Sequence, residues 1–205
     1  NGGLGDTDTL TIQGTDNNLS DSFTIRPDAA GNDAEPLVDL TISAVQILQI
    51  ENIALVAPGG AQFFITAIDF EGLGGSDVFN LLPSASGTLL NIDGGNPTNN
   101  PLASDVIVIA ATAGVADQFT VTPGATADAG AIASTINGTP RAAVSYKNLE
   151  GVNLDLGGGA AADVLTMQGT GANNAFTLVA TGVNSGTARV DAGPLVTFTG
   201  LGAAG

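Results

Sequence analysis

One strand–turn–strand phrase occurs three times in this chain: Asp8-Thr9-Leu10-Thr11-Ile12 with Phe23-Thr24-Ile25, Asp105-Val106-Ile107-Val108-Ile109 with Phe119-Thr120-Val121, and Asp163-Val164-Leu165-Thr166-Met167 with Phe176-Thr177-Leu178. The interval from Asp to Phe is 15, 14 and 13 residues. Self-similarity on this scale constrains the fold more than any single motif could. Repeated units of this kind stack on one another and bury a continuous core between neighbours.

A second phrase alternates with the first: an apolar strand, a short polar step and a Gly-rich turn. It runs as Ile50-Glu51-Asn52-Ile53 before Gly59-Gly60, Phe70-Glu71-Gly72-Leu73 before Gly74-Gly75, and Leu149-Glu150-Gly151-Val152 before Gly157-Gly158. A fourth copy, Phe198-Thr199-Gly200-Leu201, is followed in register by what Gly2-Gly3-Leu4-Gly5-Asp6-Thr7-Asp8 would supply. The expected organisation is repeat 1 over 1–58, a shortened rung over 59–94, repeat 2 over 95–158 and repeat 3 over 159–205, completed by the start of a following copy.

Within the phrases the residues alternate, as in Thr9-Leu10-Thr11-Ile12 and Asn153-Leu154-Asp155-Leu156. Period-two alternation puts apolar side chains on one face of a strand and Thr, Asn or Asp on the other. Val, Ile, Leu and Thr fill the runs, and Gly, Asn, Asp and Pro fill the gaps, which is strand-and-turn composition. No sustained helical spacing occurs, though the Ala-rich stretch 125–134 is compatible with one helical turn. The chain therefore reads as all-β with a repeat architecture: a β-solenoid resembling a parallel β-helix, or a stacked β-sandwich. Blade-type repeats are the alternative, but three units would not close a propeller.

The 205 residues include 20 acidic and four basic ones, Arg26, Arg141, Lys147 and Arg189, for a net charge of −16. That balance disfavours nucleic acid, whose binding needs Lys and Arg to displace counterions. It equally disfavours an anionic membrane surface. There is no Cys and no His, so neither a thiol nucleophile nor an imidazole base is present. No signal-peptide pattern and no apolar run of membrane-spanning length occurs in these residues. The remaining carboxylates are explained by repeated turns, and the expected function is not enzymatic.

Acidity and Gly-rich turns together suit calcium, which takes six to eight oxygens from carboxylates and backbone carbonyls. The turn carboxylates that could hold it are Asp6, Asp8, Asp77, Asp93, Asp105, Asp155 and Asp163, and Asp16, Asn17, Asn18 and Asp21 form another oxygen-rich loop. The same residues would equally hydrogen-bond their own turns and begin the next strand.

At these turns the sequence resembles the RTX, or haemolysin-type, calcium-binding nonapeptide, Gly-Gly-x-Gly-x-Asp-x-hydrophobic-x. Gly2-Gly3-Leu4-Gly5 with Asp8-Thr9-Leu10 carries it with one residue inserted, and Gly74-Gly75-Ser76-Asp77-Val78-Phe79 with a deletion. Gly157-Gly158-Gly159 precedes Asp163-Val164-Leu165, and Gly94-Gly95 precedes Asp105 at a longer interval. The longer pattern looks like the repeats of very large bacterial surface proteins: β-strand-repeat adhesins, sheath proteins and surface-layer-like proteins. That resemblance implies an extracellular or cell-surface structural protein. It would self-associate, or continue end to end into a fibre, sheath or surface layer, and calcium would stabilise it. The alternative it implies is an adhesin stalk whose loops 28–36, 96–104 and 123–134 contact a polysaccharide or cell surface.

Overall fold

In the computed structural model the described residues are 8–15, 19–26, 37–42, 45–50, 65–81, 88–95, 104–159 and 162–202. They are all-β, as the alternation requires, and form two mixed sheets with no closed barrel. The strands are β1 (Asp8–Gln13), β2 (Asp21–Arg26), β3 (Leu37–Ile42), β4 (Val45–Ile50), β5 (Ile65–Glu71), β6 (Val78–Leu81), β7 (Leu89–Asp93), β8 (Val106–Ala110) and β9 (Asp117–Pro123). They continue with β10 (Gly130–Ile136), β11 (Thr139–Pro140), β12 (Val144–Lys147), β13 (Gly151–Asp155), β14 (Val164–Met167), β15 (Phe176–Gly182), β16 (Ser185–Val190) and β17 (Leu195–Thr199).

The chain passes repeatedly from one sheet to the other. The first sheet has the order β1-β5-β7-β12-β10-β9-β14, with β11 on β10, and the second β15-β16-β17-β13-β8-β6-β2-β3-β4. Each of the three sequence phrases thus spans two strands in different sheets: β1 and β2, β8 and β9, β14 and β15. Successive passes pair in parallel, β1 with β5, β5 with β7, β7 with β12, and β2 with β6, β6 with β8, β8 with β13, β13 with β17. At three places the chain makes an antiparallel three-stranded meander before crossing back: β2-β3-β4, β9-β10-β12 and β15-β16-β17.

The meanders depart from a purely parallel stack. The sequence signals the first strand of each through its Phe-Thr-aliphatic triplet, and the return strands carry weaker signals. The expected helical turn in 125–134 is not formed: residues 125–128 are bends and turns, and Gly130–Ile136 is β10. Ala has no strong objection to a strand whose neighbours on both sides supply hydrogen-bond partners, so pairing overrides propensity.

Alternation carries into burial: β6, β7 and β8 alternate along their length. Inward side chains of both sheets make one core, including Ile12, Phe23, Ile25, Ile68, Phe70, Phe79, Ile107, Ile109, Phe119, Val121, Leu154 and Phe198. Phe23 of the second sheet meets Phe70 of the first edge-on at 5.7 Å between ring centroids and stacks on Phe79 at 4.9 Å. The third equivalent residue does not join this core. Phe176 is 57% exposed, where Phe23 and Phe119 are fully buried. Among the described residues no helix is long and apolar enough to cross a membrane.

Candidate functional site

The feature that repeats with the fold is a column of buried carboxylates. It lies where strands of the first sheet turn into strands of the second. Three strand-to-strand connections share one order in the chain: strand, glycine, aspartate, strand. They run from β1 through Gly14 to Asp21 and β2, from β5 through Gly72 to Asp77 and β6, and from β7 through Gly94 to Asp105 and β8. Asp21, Asp77 and Asp105 are all essentially inaccessible to solvent.

The carboxylates are linked from one layer to the next. Asp77 Oδ1 accepts the backbone N–H of Asp21 at 2.8 Å, Asp105 Oδ1 that of Asp77 at 2.7 Å, and Glu150 Oε2 that of Asp105 at 2.7 Å. The turn glycines form a parallel ladder: Gly14 N donates to Glu71 O at 2.7 Å, Gly72 N to Asp93 O at 2.8 Å, and Gly94 N to Lys147 O at 3.1 Å. Side-chain and main-chain hydrogen bonds therefore both cross between layers, fixing each turn on the next.

Glycine is required because its Cα lies between oxygens. A Cβ at Gly72 would collide with Asp77 Oδ2 and sit 2.6 Å from Gly94 O, and one at Gly94 would collide with Asn148 O and lie 2.9 Å from Asp105 Oδ2. Gly94→Ala is expected to destabilise the fold by about 3 kcal/mol or more, because the obstructing carbonyl is backbone and cannot rotate aside. Gly171→Ala, where a Cβ meets nothing within 4 Å, is expected to be neutral or to stabilise by up to about 1 kcal/mol. Urea denaturation of the two variants checks the contrast, and equal midpoints would refute this account of the turns.

The column is electrostatically loaded. Burial, with the charges of Asp105 and Asp21 adding to it against the Asp21 N–H, pushes the Asp77 carboxyl up to about 7. Burial likewise pushes Asp105 up to about 6, helped by Glu150 and Asp93 and opposed by the Asp77 N–H. Asp77 Oδ2 and Asp105 Oδ2 are buried and accept no hydrogen bond, so neither charge is fully compensated. A shorter counterpart lies in the first sheet, where Asp163 Oδ1 accepts the N–H of Asp117 at 3.0 Å and Asp163 Oδ2 that of Gly202 at 2.8 Å. Burial, then the Asp163 charge, raises the Asp117 pKa.

The carboxylates singled out in the sequence thus have different roles. Asp77 and Asp105 are neighbours in the column. Asp163 caps β9 and the chain near Gly202. Asp155 is exposed and accepts from Gly157 N at 3.0 Å and Thr199 Oγ1 at 3.3 Å. Asp93 accepts from Lys147 Nζ at 2.7 Å, Asn148 Nδ2 at 2.7 Å and Gly95 N at 3.0 Å. Burial raises its pKa, but these donors outweigh burial and hold it below the ordinary carboxylate value. Asp6, the Asp8 side chain and Asp16 to Asn18 lie outside the described residues. Among the described residues no three acidic side chains converge on a point a metal ion could occupy.

In the sequence Asp21 reads as part of an oxygen-rich loop, and nothing local marks Glu150 or Asp117 as a site residue. The signal that could have found the column is the recurring order of strand, Gly, then Asp before the next strand.

On the outward face of the first sheet, polar rows cross the strands. Asn91 Nδ2 donates to Asp69 Oδ1 at 2.7 Å and Ser145 Oγ to Asn91 Oδ1 at 2.6 Å. Beside them run Glu71, Asp93 and Lys147, and the rows border a groove of about 270 Å³.

No family model, curated protein or solved structure matches the chain.

Proposed function

We propose that the chain is a segment of an extracellular structural protein: a two-sheet β-solenoid that extends end to end into a fibre, sheath or surface layer. One observation carries this reading. Successive passes of the chain pair in parallel within each sheet and share one core between the sheets, an arrangement that suits growth along a single axis. Such growth builds length rather than a closed pocket. The column of Asp21, Asp77 and Asp105 fits the same role, since it ties each layer to the next by charge-assisted hydrogen bonds.

Calcium belongs to this proposal as a stabiliser of the acidic turns, neutralising a chain of net charge −16. A second reading, an adhesin stalk that binds polysaccharide, is favoured by the groove with Asp69, Asn91 and Ser145, whose carboxylate, amide and hydroxyl groups suit sugar hydroxyls. Negative-stain electron microscopy with and without EDTA tests these together. Fibres or sheets that come apart on chelation are expected. Fibres indifferent to EDTA remove calcium from the proposal, and dispersed rods in both conditions favour the adhesin.

A further inference from the structure

The geometry points to the cleft between β14 and β15 as a joint that receives the opposite, β1/β4 end of a second copy of this chain. This inference rests on the structural reading above and says where and how the copies meet.

The first strand of a meander has a fixed partner inside the fold. β2 pairs in parallel with β6, and β9 pairs in parallel with β14, each partner belonging to the next layer. β15 holds the same place in the third phrase, and its outer edge has no partner among the described residues. Exposure follows pairing. At the equivalent inward positions Phe23 and Phe119 are 0% exposed and Phe176 57%, and Ile25 and Val121 are 1% and 2% exposed and Leu178 73%. These two side chains line an open, largely apolar cleft of about 320 Å³ with Leu165, Met167, Ala188 and Phe198, and Arg189 at its side is the one charged residue lining it. Among the described residues the internal layer-to-layer interface therefore reaches β14 and β15 with no further strand beyond them.

What covers it must continue that interface. The partner must offer strands that pair in parallel and extend both sheets. The far end of this chain offers them, because β1 and β4 are the outermost strands there and every ladder between passes is parallel. Charge agrees with this choice. β14, β15 and β4 contain no charged residue, and β1 only Asp8, in a chain of net charge −16. Long uncharged edge strands are what proteins avoid exposing unless another strand is to pair there. The two ends differ, so the contact is heterologous and does not close, which gives filaments.

Sedimentation velocity over a concentration series, with electron microscopy of the same samples, tests the joint on the chain itself. The wild type is expected to form open-ended linear oligomers. Phe176→Asp and Leu178→Asp are each expected to weaken association at least about tenfold, since each places a charge where an apolar side chain would be buried. Val183→Asp, at a turn position 93% exposed and outside the cleft, is expected to assemble like the wild type. Circular dichroism of each variant monitors folding. Filaments that persist in both cleft variants overturn the joint and leave the structural reading standing. Dimers that grow no further overturn head-to-tail docking. A wild type that stays monomeric overturns the structural reading itself.

Discussion

Phe23→Ala is expected to destabilise the protein by about 3–5 kcal/mol, while Phe176→Ala changes the stability of the monomer by no more than about 0.5 kcal/mol. Both residues open the same Phe-Thr-aliphatic triplet, so local sequence gives no reason for the difference. Phe23 is fully buried, stacked on Phe79 and edge-on to Phe70. Removing its ring deletes both contacts and leaves a cavity that two sheets held by ladders cannot collapse to fill. Phe176 is more than half exposed, and its ring borders open space. Urea unfolding at low protein concentration is the measurement. Similar losses in the two variants would mean that the β14/β15 end is closed within one chain.

The second large effect is a pH dependence of unusual sign. Asp77 and Asp105 titrate near 7 and 6 in the folded chain, against an ordinary value of 3.8. Between about pH 4 and 7 the native state therefore holds protons that the unfolded state has released, and stability falls as pH rises through that window. A tenfold change in proton affinity is worth about 1.4 kcal/mol, so the raised Asp77 and Asp105 carboxyls make this fall one of kcal/mol size. Below about pH 4 the trend reverses, because Asp93, held below its ordinary value by Lys147 and Asn148, loses its charge. Maximum stability is expected near pH 4–5, well away from neutrality.

Asp77→Asn separates this from any general acid effect. The amide oxygen still accepts the Asp21 N–H, and the buried charge is gone. The variant is expected to exceed the wild type modestly at pH 5 and by a wider margin at pH 8. Urea midpoints at the two pH values provide the check. A wild type no less stable at pH 8 than at pH 5 would show that the column is compensated by something other than protons, a bound cation being the first candidate.

Strand phase was legible because it is local. Thr9-Leu10-Thr11-Ile12 and Val106-Ile107-Val108-Ile109 state which side chains face inward by alternation alone, and Ile12, Ile107 and Ile109 are buried accordingly. The all-β class and the three repeated phrases follow from the same pattern, as does the turn-forming role of Gly next to Asp. The return strands β3, β10 and β16 were less legible. Their stability comes from neighbours on both sides, and a segment such as Gly130–Ile136 carries little propensity of its own.

The order of amino acids alone thus specifies the class of fold, the inward face of the phrase strands, the acidity and the places where the chain turns. Packing in three dimensions settles which sheet each strand enters and which turn aspartates stack into a column. It also settles that Phe176, alone of three equivalent residues, is left uncovered. The physical reason is range. Alternation and turn chemistry act between residues a few positions apart, whereas burial and carboxylate charge depend on layers that the chain reaches tens of residues later.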